Sequence, residues 1–196
     1  MDDKLLSNLS DKIWITRKCR INTSERLIFL NYISQFFINY YTLVILSISI
    51  YTLYSDNASD FLSFTTVIAS LFLFAVTIGI NTLDYKGRIR DLKNCYIELD
   101  VLINKLELLK RELQLKETRE IKLQFEQIRD DYIKNLKGVE NHNSYDYLKF
   151  KLSQKEYRNV FLYLKYYAVN ILFILTIVLL MFLPFLPILL MYKDWI

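Results

Sequence analysis

Glycine, proline, cysteine and histidine are all scarce in this 196-residue chain, with three, two, two and one copies respectively. So little glycine and proline, together with the lack of strand-like alternation, excludes a fold of sheets and tight turns and predicts an almost wholly helical protein. The single histidine, His142, lies in a loop-like stretch of asparagines with no Cys/His cluster to make a metal site, and reads as a solvated side chain. Cys19 and Cys95 belong to no paired motif. They are expected as two free thiols on the reducing side of a membrane, a regulatory disulfide between them being the alternative. No glycine-rich phosphate loop, nucleophile elbow or acidic pair in an apolar setting occurs. The chain is therefore not expected to be an enzyme or to carry a cofactor.

Charge is missing in a more telling way. Three long runs, Ile33–Tyr54, Phe61–Leu83 and Tyr166–Tyr192, contain no charged residue. Twenty-three residues of helix rise about 35 Å, enough to cross a hydrocarbon core of roughly 30 Å. The first two runs are joined only by Ser55–Asp60, whose charges are Asp56 and Asp60, so they read as a transmembrane hairpin with an acidic turn. In the third run, Pro184 and Pro187 each remove a backbone donor. That run reads as a kinked third span or a re-entrant segment, and 166–183 is just long enough to span if Pro184 ends the regular helix.

Four regions follow: a juxtamembrane helix over 1–26, the hairpin over 27–83, a charged helical region over 84–165 and the third membrane segment over 166–192. Residues 84–165 carry 18 Lys/Arg and 14 Asp/Glu, so they are solvated. These charges interleave, and the net charge is only +4, which argues against a nucleic-acid surface. Lys4, Lys12, Arg17, Lys18, Arg20 and Arg26 precede the hairpin, Lys86, Arg88, Arg90 and Lys93 follow it, and the turn has no basic residue. By the positive-inside rule the N-terminus and the middle region face the cytoplasm. The first run lacks a small-residue cleavage pattern and is longer than a signal core, so it reads as a retained anchor.

Finer signals place the elements. Ser10 is a candidate N-cap for a short helix over 10–21, and Asn22 with Glu25 has the spacing of a capping box for a second start. Ile89, Leu92, Tyr96, Leu99, Ile103 and Leu106 form one apolar stripe on a long helix. The stripe closes the chain's own hairpin, or offers a face to a partner or a second copy. Its register fails at Lys110, Glu117 and Glu120 and resumes at Ile121, which points to two helices turning near 116–120 or one helix with a shift. Gly138 suits a left-handed helix end, and a helix restarts near Tyr145, with a further capping-box match at Ser153 and Glu156.

Polar residues inside the apolar runs are the main functional candidates. Gln35, Asn39, Thr42 and Ser49 share one face of the first span, and Ser63, Thr66, Ser70, Thr77 and Asn81 share one face of the second. Such a stripe packs helices through hydrogen bonds, or lines a water-filled path when several copies assemble. A lining of Ser, Thr and Asn would give poor ion selectivity, which suits a leak better than a tuned channel.

The basic segment Trp14-Ile15-Thr16-Arg17-Lys18-Cys19-Arg20, the helix start at Asn22–Leu27, the short-looped hairpin and the long charged helix together resemble the SLATT proteins over roughly residues 10–137. These are bacterial two-transmembrane effectors. The resemblance implies a membrane effector of antiphage defence that oligomerises, permeabilises the inner membrane and causes abortive infection. It implies partners such as a retron reverse transcriptase with its RNA–DNA product, or a cyclic-nucleotide synthase, with no direct contact to nucleic acid. A non-toxic membrane adaptor, whose cytoplasmic helices dock a soluble partner, is the alternative.

Overall fold

The computed structural model describes residues 3–54, 60–112, 118–141, 143–154 and 159–185, and among these the regular structure is helical throughout. Six α-helices follow in order: α1 (Asp3–Tyr54), α2 (Asp60–Thr82), α3 (Tyr85–Glu112), α4 (Thr118–Leu136), α5 (Ser144–Ser153) and α6 (Val160–Phe182). A 3-10 turn, Leu183–Phe185, follows α6. The chain divides into two units, Met1–Ile28 with Lys86–Tyr166, and Phe29–Tyr85 with Tyr167–Ile196.

In the first unit, Leu6, Ile13, Arg20 and Leu27 of α1 are all at most 1% exposed. Their seven-residue spacing is the seam of a helix packed along its length against neighbours. Leu6 and Ile13 join Cys95, Leu99, Leu102, Ile103, Leu106 and Leu109 of α3 and Ile121, Ile128 and Tyr132 of α4 in one core. The ladder of contacts, Lys105–Asp131 at 4.0 Å and Asn135 Nδ2 to Glu98 at 2.8 Å, makes α3 and α4 antiparallel. The chain forms two helices here rather than one shifted helix; of the turn expected near 116–120, residues 116–117 lie outside the described residues and 118–120 already belong to α4.

Of the stripe read from the sequence, Leu99, Ile103 and Leu106 belong to this core. Leu92, Leu99, Ile103 and Leu106 are buried, and Ile89 and Tyr96 are half-buried. Gly138 closes α4 with φ 88°, a left-handed conformation that needs glycine for its torsion, since a Cβ there would meet nothing within 4 Å.

Two expected helix boundaries are not observed. Ser10 does not cap a helix, because α1 begins at Asp3, and no start occurs at Asn22, because α1 runs unbroken to Tyr54. Without Gly or Pro nothing interrupts that helix, and the two capping candidates find partners elsewhere. Asn22 Nδ2 donates to the Asp146 carbonyl at 3.1 Å, and Glu25 pairs with Lys149 at 2.7 Å. Ser153 likewise ends α5 rather than starting a helix, its hydroxyl donating to the Phe150 carbonyl at 2.6 Å. Glu156 lies outside the described residues. The caps used are Asn143 for α5, in a full capping box with Asp146, and Asn159, whose Oδ1 accepts from the Phe161 amide at 3.0 Å at the start of α6.

In the second unit only Thr66 is buried among the described residues. The three helices long and apolar enough to cross a membrane fall within Lys4–Tyr54, Asp60–Glu112 and Val160–Phe182. Between α2 and α3 the chain turns at Asp84, whose φ of 42° is unusual for a residue with a Cβ. The regular part of α6 stops at Phe182, just before Pro184, as its missing N–H dictates. Phe29 packs on Phe173 at 5.9 Å, and the Tyr40 and Tyr41 hydroxyls reach Met181 and Leu180. The two helices thus run parallel, and α1 continues 13 residues, about 20 Å, beyond the level where α6 ends.

Candidate functional site

Two sites emerge, one in each unit. The first is a polar clasp on the basic segment of α1. The Asp146 side chain is fully buried, and three neighbours serve its carboxylate. Arg26 forks onto it, Nε at 2.9 Å from Oδ1 and Nη2 at 3.0 Å from Oδ2, and the Asn143 amide donates at 3.3 Å. Thr23 Oγ1 lies 2.9 Å from Oδ2 and 3.0 Å from the Cys19 carbonyl. It has one proton, and the charged carboxylate is the stronger acceptor. Hydrogen bonding to Asp146 raises the Arg26 pKa above its ordinary value against the opposing effect of burial.

Arg20 is 1% exposed, and its Nη2 donates to Asn141 Oδ1 at 3.3 Å, while its Nε and Nη1 find no partner among the described residues. Arg88 binds Glu140 Oε2 through both Nε and Nη2. Trp14 meets Phe150 edge-on at 5.7 Å, a contact worth about 0.5–1.5 kcal/mol beyond its area. Arg20 and Arg26 thus fasten α1 to Asn141 and to Asp146 at the start of α5, and Arg88 fastens α3 to Glu140. Sequence reading singled out Arg17–Arg20 only as a charged segment. The spacing of Asn143 and Asp146, and the seven-residue seam with Arg20 in it, were the available signals.

Both thiols sit in this unit, buried and unpaired. Burial pushes the Cys19 thiol up to about 11; nearby Asp146 adds to this and Arg20 opposes it. Cys95 is raised in the same way, mainly by burial.

The second site is the set of spans. Of the nine polar candidates, Thr66 is buried, Ser49 and Thr77 are half-buried, and Gln35, Asn39, Thr42, Ser63, Ser70 and Asn81 are exposed. Five hydroxyls donate back to their own helix: Thr42 to Ile38 at 2.7 Å, Ser49 to Ile45 at 2.9 Å, Thr66 to Leu62 at 2.8 Å, Ser70 to Val67 at 2.7 Å and Thr77 to Leu73 at 2.8 Å. Their protons are engaged, so these five hydroxyls offer lone pairs alone. The carboxamides of Gln35 and Asn39 have no hydrogen bond to any described residue. Only Thr66 among the nine lines the cleft formed by α1, α2 and α6. One copy therefore does not bring the two stripes together; most of each points outward.

Tyr40 and Tyr41 of α1 reach the end of α6. Pro184 cannot donate to the Leu180 carbonyl four residues earlier. The Tyr41 hydroxyl donates to that oxygen at 2.7 Å, and Tyr40 serves Met181 at 2.8 Å. A neighbouring helix thus restores what proline removes, as a membrane interior requires.

Residues 2–192 match the family described as SMODS and SLOG-associating 2TM effector domain family 5, a match that extends over α6 as well as the hairpin. Neither a curated protein nor a solved structure matches the chain.

Proposed function

We propose that this chain, which belongs to the SMODS and SLOG-associating 2TM effector domain family 5, is an effector that assembles in the bacterial inner membrane and makes it leak. Membership makes it a membrane effector of antiphage defence; assembly, leakage and the resulting abortive infection are our reading. Its N-terminus and first unit lie in the cytoplasm, on the argument of Lys and Arg placement.

The observation that carries the proposal is the outward placement of the polar stripes. A carboxamide left without partners in hydrocarbon costs several kcal/mol. Interhelical hydrogen bonds between membrane helices recover about 0.6–2 kcal/mol each. Gln35 and Asn39 sit four residues apart on an exposed face, so a second copy laid against α1 satisfies both at once. Repeated around an axis, such contacts enclose hydroxyl oxygens that present lone pairs to a narrow wet path, suited to a weakly selective leak. A defence enzyme, either a retron reverse transcriptase with its RNA–DNA product or a cyclic-nucleotide synthase, supplies the trigger.

Membrane potential, followed by a voltage-sensitive dye after co-expression with the triggered partner, tests this. Depolarisation is expected, and replacing the outward-facing Thr42, Ser63 and Ser70 together with Val, Ala and Ala should abolish it while insertion persists. A membrane that stays polarised with the protein inserted and activated refutes the leak. Activity that survives these replacements but is lost on deleting 84–165 points to an adaptor instead.

A further inference from the structure

Arg20 breaks the pattern of its own seam. It shares the seven-residue spacing of α1 with Leu6, Ile13 and Leu27, and all four side chains are at most 1% exposed. Three of them are the apolar groups that a packed seam selects, and the fourth is a charged guanidinium. Arg17, Arg26 and Arg88 each pair with a carboxylate, on Asp100, Asp146 and Glu140 respectively. Arg20 forms no ion pair with any described residue. Its one hydrogen bond goes to a neutral acceptor, Asn141 Oδ1 at 3.3 Å, and Nε and Nη1 have none among the described residues.

The residue beside Asn141 carries the complementary fault. Glu140 Oε2 accepts from Arg88, while Oε1 is buried with no donor among the described residues. A buried charge left unpaired is among the costliest arrangements in a folded protein, because the hydration it gave up is not replaced. Substituting an apolar side chain of similar size for such a charge is often stabilising. Both groups sit where α1 meets the turn after Gly138: Arg20 reaches Asn141 from α1, and Glu140 stands next to Asn141 in the chain. Separating that contact returns water to both, and the Arg20 bond it breaks is the neutral one. The Arg26–Asp146 fork beside it is satisfied on both sides and has no such gain.

We propose that Arg20 is a release point built into the first unit: the turn over 138–141 lifts from α1 as a local event, driven by hydration of the guanidinium, while the Arg26–Asp146 fork stays closed. The ends of the turn suit this. Gly138 stands at φ 88°, and Asn143 is fixed as the cap of α5. The first unit thus has a closed and an open state that differ in the wetting of one arginine, and a partner that prefers either state shifts the balance. The inference concerns the first unit and stands whether or not the spans leak.

The test is arginine footprinting of the full chain in detergent micelles with phenylglyoxal, at low extents of modification, mapped by mass spectrometry. Arg90 and Arg129, exposed on α3 and α4, set the rate of a free guanidinium. Arg20 should react at about 1–10% of that rate, whereas a side chain freed only by unfolding of the whole unit would stay below about 0.1%. Asn141→Asp places the missing charge against Arg20 and should slow its reaction at least about threefold, with Arg90 and Arg129 unchanged to show that the variant is folded. Arg20→Met should raise the thermal midpoint of the first unit, followed at Trp14 in a Trp195→Phe background, by about 4–12 °C. Arg20 reacting only at the unfolding-limited rate, or at a rate indifferent to Asn141→Asp, overturns the proposal. So does a lower midpoint for Arg20→Met, because the guanidinium is then satisfied within the closed fold.

Discussion

Removing the Tyr41 hydroxyl should cost stability only because Pro184 is a proline. Pro184 has no N–H, so the Leu180 carbonyl lacks its partner four residues on, and Tyr41 supplies one at 2.7 Å. With Tyr41→Phe, that oxygen is left in a medium without water. A buried acceptor deprived of its partner costs about 1–3 kcal/mol, and interhelical bonds in membranes average about 0.6 with a maximum near 1.7. The expected loss is therefore about 1–1.5 kcal/mol. Pro184→Ala restores a backbone donor and lets α6 continue through the 3-10 turn, so the same Tyr41→Phe change should then cost under about 0.5 kcal/mol. The coupling, close to 1 kcal/mol, exceeds the scatter of about 0.3–0.5 expected of independent sites. Reversible unfolding in mixed detergent micelles, measured on the four proteins of the cycle, gives it directly. If Tyr41→Phe costs the same in both backgrounds, the tyrosine is not replacing the donor that proline lacks.

Asp146→Asn keeps the size of the side chain but removes the charge that Arg26 forks onto, and should lower the stability of the first unit by about 2–4 kcal/mol. Thermal unfolding followed through Trp14 fluorescence checks this. Because the Arg26 pKa is raised, the stability linked to Arg26 titration is complete below the ordinary guanidinium pKa. It is lost only above the raised value, so the effect should be flat across neutral pH. Cys19, raised to about 11, behaves differently. Stability linked to it is full below pH 9, where the unfolded thiol is also protonated, and declines as pH rises toward 11. At pH 8 its thiolate population is about 100-fold below that of a free thiol, so native-state alkylation should be slower by at least that factor. Mass-spectrometric counting of labelled thiols, before and after denaturation, reads the difference.

How the chain reads depends on the range of each interaction. Hydropathy and charge placement are properties of single residues and short windows. Ile33–Tyr54 and Phe61–Leu83 declare themselves as spans whatever surrounds them, and α2 falls at 60–82 as expected. The glycine at 138 and the proline at 184 also act locally, one through a torsion and one through a missing donor, and both helices end where these residues dictate. Capping was less legible, because a polar side chain at a capping spacing has other partners open to it. Asn22 and Glu25 turned to Asp146 and Lys149 of α5, across more than a hundred residues of sequence.

Scarcity of glycine and proline, three charge-free runs and one-sided basic flanks by themselves marked this as a helical membrane protein, since each follows from local propensity or transfer from water to lipid. Only the tertiary structure decided that Asp146 gathers Arg26 and Thr23, that Tyr41 completes the carbonyl Pro184 leaves bare, and that all of the polar stripes but Thr66 lie off the cleft beside them. Those outcomes rest on which surfaces meet in space. A hydrogen bond between residues 120 to 140 positions apart leaves no pattern in either segment alone.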